Sequence, residues 1–345
     1  MIQRRDTKSP FAVVFERFRG TTENRDDRIL EVISHWDQAE NRRAELGHLA
    51  GRWTSLARAA GARRLGVNRI EVDPGMWSTP AHVHQAEEEI FFVLGGTGLS
   101  WQQVGTEGDV RAYEVREGDC IVHLAGRERH TLKAGPEGLD VVAFGNRVPT
   151  EFGHLPRGNV GWLGRAWVDA GGGDRPWQRE ADAGPPAEVE TSERPANIKR
   201  EDDVEPVWGG QVFTLGHAAG SEQSGLNLTK LPPGGEGAPP HCHSAEDEFF
   251  VVLEGEGTLH VEPTPTKREF GVQPEQHVVR RGHAVSFPAG SSLCHSFTAG
   301  DEGLVYLAYG TRQPTDVIYY PRRSAFFFKG VGMMVPVEHV GFLEP

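Results

Sequence analysis

Cysteine is scarce: Cys120, Cys242 and Cys294 are the only three in 345 residues, and no Cys-x-x-Cys pair occurs. A count that low and odd disfavours a disulfide framework or a thiolate zinc site and makes a cytoplasmic location the expectation. Cys242 stands between His241 and His243 and reads as a small core residue facing away from both rings. Long apolar runs are also lacking. None approaches the ~18 residues a membrane span needs, and the N-terminal apolar stretch is broken by Glu16 and Arg17, which argues against a secretory signal. Basic excess is absent too. A net charge of −13 argues against nucleic-acid and anionic-membrane partners, both of which reward a basic surface.

Glycine and proline, by contrast, are plentiful at 43 and 23 residues. That content favours many turns and short strands over long helices. Hydrophobic content of 37% with 25% charged residues is that of a soluble globular protein. The length predicts two or more domains.

An internal repeat fixes how they are arranged. Residues 59–75, "AAGARRLGVNRIEVDPG", align with residues 218–234, "AAGSEQSGLNLTKLPPG", at an offset of 159. The offset holds through His82/His241, His84/His243, Glu89/Glu248 and Gly96/Gly255, becomes 164 at Gly118/Gly282, and is 165 from His130/His295 through Thr150/Thr315. The chain is a duplication. Each copy contains short β-prone runs ending at glycine, such as "EEIFFVL" and "DEFFVVL". The expected fold is therefore all-β, a sandwich or jelly-roll barrel per repeat. Helix is expected only near residues 38–60. Residues 169–206 are polar and rich in Gly, Pro and acid, and predict an exposed linker laid over the surface. The N-terminal domain is assigned to residues 1–168, with its core at about 55–165, and the C-terminal domain to residues 207–345.

The chemistry lies at equivalent places in the two copies. His82 and His84 are two apart, so on a strand both rings project from one face, with Glu89 opening the next strand and His130 far downstream. His241, His243, Glu248 and His295 repeat the pattern. Three imidazoles and a carboxylate suit a divalent iron, nickel, zinc or manganese ion, one per repeat. A lone His-x-His is usually incidental, but the same spacing twice is not.

These motifs resemble those of the cupin superfamily. Its first motif corresponds to Gly75, His82, His84, Glu89 and Gly96, and again to Gly234, His241, His243, Glu248 and Gly255. Its second motif corresponds to Gly282, Pro288, Gly290 and His295, and more loosely to Gly118, Gly126 and His130, with Leu124 in the proline position. Glu88 competes with Glu89 for the ligand position; the six-residue gap to Gly96 and the match to Glu248 select Glu89. The resemblance implies two tandem double-stranded β-helix barrels with few short helices and the ligands pointing inward; the barrels are expected to pair within the chain, and a homo-oligomer of such chains is a further expectation.

The reaction does not follow from the fold. Pocket candidates are Phe91 and Trp101 in the first copy and the equivalent Phe250 and His260 in the second. A dioxygenase-type oxidoreductase acting on a small organic molecule is the first expectation. A manganese-type oxalate decarboxylase or oxidase is the alternative, with Arg127, Arg129 or Arg312 holding a substrate carboxylate; a metal-dependent binding protein is the third. The second copy is the more family-like, because it keeps Pro288 and Gly290 while Trp101 would crowd the first pocket.

Overall fold

The computed structural model describes residues 32–105, 108–163, 166–169 and 176–340. The reading of the N-terminal stretch around Glu16 lies outside them. Strand β1 (Ile33–His35) comes first, followed by β2 (Asn41–Leu46), β3 (Leu49–Ser55), β4 (Leu65–Val72), β5 (Val83–His84) and β6 (Glu89–Val104). Next come β7 (Val110–Arg116), β8 (Cys120–His123), β9 (Glu128–Asn146), β10 (Phe152–Leu155), β11 (Val160–Leu163) and β12 (Ala166–Asp169). After β13 (Ile198–Lys199), the second copy runs through β14 (Val212–Phe213), β15 (Ser224–Leu231), β16 (Cys242–His243), β17 (Glu248–Pro263) and β18 (Glu275–Arg280). It ends with β19 (His283–Phe287), β20 (Leu293–Thr311), β21 (Val317–Tyr320), β22 (Ala325–Phe328) and β23 (Met333–Pro336).

The repeats fold alike. The first has a large sheet of order β13-β8-β6-β9-β4-β3-β2, with β7 on β6, and a smaller sheet β12-β11-β10-β5. The second has β1-β19-β17-β20-β15-β14, with β18 on β17, and β16-β21-β22-β23. The protein is all-β, two tandem barrels with short helices. Among the described residues no helix is long and apolar enough to cross a membrane.

Strands such as "EIFFVL" are continuously apolar because both of their faces are buried. Phe91 and Val93 point into the first barrel with Ile70, Ile121 and Val141. Ile90 and Phe92 point outward, where they meet Phe249, Val251, Leu226 and Tyr309 of the second barrel. The two barrels thus share one core, in which each buried large side chain contributes about 1.5–3 kcal/mol. Buried carboxylates flank it. Glu88 is fully buried here, accepting from the Ser221 hydroxyl and the Glu222 amide at 2.7 Å, and its equivalent Asp247 takes Arg64 Nε at 2.7 Å.

Three expectations are corrected. Residues 38–60 are the antiparallel hairpin β2–β3, with helix α1 confined to Leu56–Ala59. Gly47, at φ 56°, makes the turn, and Gly51 lies so close to β4 that a Cβ would stand 2.6 Å from the Glu71 carbonyl oxygen. The linker is not merely laid over the surface. It carries helix α2 (Pro176–Asp182), buries Glu180 and Ile198 completely, and seats Ile198 in the core of the first barrel. Arg194 and Arg200 both reach the buried Asp119 at 2.6 Å. Its net acidity concealed these anchors. Finally, β1 pairs with β19 of the second barrel, while β13 takes the matching place beside β8 of the first.

Candidate metal centre

In both copies the first two histidines sit where the chain enters a two-residue strand, and the carboxylate opens the long strand that follows it. His82 and His130 bridge backbone to backbone, as do His241 and His295, which brings the distal histidine of β9 or β20 across to the first motif.

The nitrogen atoms are sorted by their partners. In the first copy Nδ1 of His82, His84 and His130 donates to the Pro80 carbonyl (2.9 Å), Glu151 (3.2 Å) and the Glu128 carbonyl (3.3 Å). Each ring therefore keeps its Nε2 lone pair for the interior. Those three Nε2 atoms approach Glu89 Oε2 at 3.4, 3.8 and 2.9 Å. In the second copy His241 donates to the Pro239 carbonyl (2.8 Å) and His243 to Asp316 (2.6 Å). Nε2 of His241, His243 and His295 lies 3.7, 3.3 and 2.9 Å from Glu248 Oε2.

The residues fit a divalent ion. Donors bonded at about 2.1 Å to one centre stand between roughly 3 and 4.3 Å from each other. In each repeat the ligand atoms of the two motif histidines and the glutamate all lie within 4.8 Å of one another. In the second repeat, buried His243 Nε2, Glu248 Oε2 and His295 Nε2 have no hydrogen bond of acceptable geometry despite their closeness. Such convergent orphaned atoms mark the place of a cation. Each repeat thus has one cluster of two histidines and a glutamate that could hold a divalent ion, with His130 or His295 2.9 Å from the glutamate.

The electrostatics agree. Burial pushes Glu89 up, but the rings of His130, His82 and His84 outweigh it and hold the carboxyl well below its ordinary range; Glu248 behaves likewise. Burial pushes His130 down to about 3 and His295 to about 4. Burial also opposes charge on His243, yet Glu248, Asp316 and Glu246 raise it to about 9, and His84 is raised in the same way by Glu151, Glu89 and Glu87. A cation bound at either cluster would meet an ionised glutamate there.

Phe91 flanks His130 at 6.0 Å between ring centroids, and Phe250 flanks His295 at 5.3 Å. Trp101 and His260 are corrected: neither lines a site. Trp101 pairs with Thr131 and packs outside the barrel on Leu49, Trp77 and Ala81. His260 pairs with Ser296 and bonds Thr298 Oγ1 at 3.1 Å. Two irregularities, at Val93/Gly95 and Gly96/Gly98 and again at Val252/Glu254 and Gly255/Gly257, shift the alternation by one. Gly96 and Gly255 make this possible, since at φ 78° and 74° a Cβ would collide with the carbonyl oxygen of Gly138 or Gly303. The inward residues are Gln102 and Val261, which share the face of His130 and His295.

Glu151 and Asp316, the carboxylates that orient His84 and His243, went unnoticed in the sequence, although they directly follow the aligned Thr150/Thr315. So did His123, whose ring stacks on His130 at 3.8 Å and bonds Glu128 at 3.2 Å. Burial pushes His123 down to about 3. In the second copy Phe287 stacks on His295 instead, and Leu293 and Val261 replace Glu128 and Gln102. The first interior is polar where the second is apolar.

Two cavities reach the ligands. One, of about 290 Å³, touches His82 and His84 and is walled by Trp162, Trp167 and Trp177. The other, of about 310 Å³, reaches His241, Glu248 and His295 past Phe250, Phe297, Tyr306, Thr229 and Ser296. Among the described residues no Arg or Lys lines either one. Arg127 instead pairs with Glu222, Arg129 bonds Gln103, and Arg312 bonds the Ser221 carbonyl. A cavity of about 1020 Å³ lies beside Arg116, Lys133 and Arg194 and touches none of the clustered histidines or glutamates.

The cupin domain family matches residues 68–144 and 227–309. A comparison with curated proteins finds no match. Among solved structures, Bacillus subtilis oxalate decarboxylase, described with Mn(II) centres, is similar at TM-score 0.55 and 16% identity, over 81% of this chain and 77% of that one. A variant of the same enzyme is similar at TM-score 0.56 and 14% identity, over 86% and 80%. At such identity the likeness is one of fold. With the matched motif in both halves and a ligand cluster in each barrel, the chain belongs to the cupin superfamily and is a bicupin.

Proposed function

We propose that this bicupin is a metal-dependent enzyme of decarboxylase or oxidase type acting on a small organic acid, with the second repeat as reaction centre. One observation carries the reading: the 310 Å³ cavity reaches three ligands, His241, Glu248 and His295, and sets hydroxyl groups beside them. The oxalate decarboxylase neighbours support the decarboxylase type over the dioxygenase expected first. A bound divalent ion supplies Lewis-acid and, for manganese or iron, one-electron chemistry.

The chain's own residues do the rest. His241, His243, Glu248 and His295 hold the ion, and Asp316 keeps His243 in the tautomer that presents Nε2. Burial pushes the Tyr306 phenol up to about 12, so it stays protonated and donates a hydrogen bond to an acid held at the metal. Thr229 offers a further hydroxyl, while Phe250 and Phe297 exclude water. With no Arg or Lys among the described lining residues, a substrate carboxylate would be met by the metal and these hydroxyls. That same cation-free lining, together with the tryptophan wall of the first cavity, favours a second reading: a dioxygenase for an aromatic substrate.

Carbon dioxide release and oxygen uptake by manganese- and iron-loaded protein, across a panel of small mono- and dicarboxylic acids and aromatic diols, separate the two. Release without stoichiometric uptake is expected. Uptake on aromatic diols alone would replace the decarboxylase reading. Tyr306→Phe is expected to lower kcat/KM at unchanged metal content, and Glu248→Gln to cost more activity than Glu89→Gln. The reverse ranking moves the reaction centre to the first repeat.

A further inference from the structure

Cys242 and Cys294 form a pair that neither the family motif nor the metal site uses. Both are buried, at 7% and 0% exposure, and both are free. Their Sγ atoms are 3.4 Å apart. This closeness follows from the backbone. His241 and His295 exchange both amide–carbonyl hydrogen bonds across the bridge, at 3.3 and 2.9 Å. The next residues along the two antiparallel segments, Cys242 and Cys294, therefore face each other as a non-hydrogen-bonded pair. Such pairs stand about 4.5 Å apart at Cα, inside the range a disulfide accepts. The first repeat has Val83 and Arg129 at the equivalent positions, so the pair belongs to the second repeat alone.

We propose that Cys242 and Cys294 are a redox modification site that closes to a disulfide under peroxide and weakens metal binding in the second repeat. Each thiol gives up its hydrogen and one S–S bond forms. The O–O bond of the peroxide breaks, and its two oxygens leave as water. The sulfurs must approach by roughly 1.4 Å to reach bonding distance. Three ligands share the strain, because Cys242 separates His241 from His243 and Cys294 directly precedes His295. The sulfurs lie on the face opposite the imidazoles, so closure tilts the rings without touching the ion. Cys120 lies in the inter-barrel core and takes no part.

The test uses the full chain loaded with zinc, which has no redox chemistry of its own. After hydrogen peroxide treatment, alkylation and digestion, the expected product is a cross-linked peptide joining residues 242 and 294, with two of the three thiols lost. Zinc affinity at the second repeat is expected to fall at least about tenfold, a loss of the size seen when metal-supporting groups are disturbed. The first repeat should be unchanged, and dithiothreitol should restore the second. Cys242→Val, which installs the first repeat's residue, should abolish both effects. Three intact thiols, or sulfinic acid on Cys242 alone, would overturn the disulfide. A disulfide that leaves second-repeat affinity unchanged would overturn its regulatory role.

Discussion

Replacing Asp316 by Asn tests how the second metal site is built. Asp316 is buried and accepts from His243 Nδ1 at 2.6 Å, the Ala245 amide at 2.8 Å and the Ser244 hydroxyl at 3.2 Å. Burial pushes its carboxyl up, but these donors outweigh it and bring it from the usual 3.8 to about 2. That difference is roughly 2 kcal/mol of native-state stability. Because the value is depressed, the contribution is present above pH 3.8 and is lost as pH falls through about 2. The rise of His243 is shared with Glu248 and Glu246, so the shift of Asp316 is the better measure of their pair. Asn keeps the shape and removes the charge. Metal-free Asp316→Asn should therefore lose roughly 2 kcal/mol in urea unfolding at pH 7. Chelator competition should show second-repeat affinity falling about 10- to 100-fold, with the first repeat unaffected. Unchanged affinity at the second repeat, or an equal loss at both, would refute the assignment of Asp316 as its orienting carboxylate.

Acidity should act on metal binding and on apo stability with opposite signs. In the metal-free protein the charged pairing of His243 stabilises the fold fully below the unfolded value near 6.5 and is lost as pH rises through about 9. A divalent ion must displace that proton, so second-repeat affinity should climb about tenfold per pH unit between those values and then flatten; a titration with no slope there would contradict it. Ile198→Ala should destabilise the protein by about 2–4 kcal/mol through the cavity it leaves, measured by urea unfolding. A loss under about 0.5 kcal/mol would mean the strap is not part of the fold.

The duplication was legible because both copies repeat the same residues at the same spacing, and the structure clusters His82, His84 and Glu89 in one barrel and His241, His243 and Glu248 in the other. Glu88 could be set aside on spacing too, and its burial against Ser221 in the barrel interface gives the physical reason. What escaped were features that depend on departures from regular strand geometry. Strict alternation from Glu89 puts Trp101 inward, but the glycine-permitted irregularities reverse the face, so Gln102 points in instead. The hairpin at residues 41–55 escaped because its Ala, Leu and Arg favour helix, and only its place across β4 makes it a strand pair. The anchors of the 169–206 strap, Glu180 and Ile198, stand among polar residues with no local period to mark them. The cysteine pair escaped for a different reason: its members are 52 residues apart and meet only through the pairing of His241 with His295.

The central claim is a divalent ion in each repeat, held by three histidines and a glutamate. Metal analysis of untagged protein, saturated and freed of excess ion, tests it most directly. Two ions per chain are expected in the wild type and one in each of His84→Ala and His243→Ala. A wild-type chain that never takes up more than one ion, or a single variant that loses both, would contradict it.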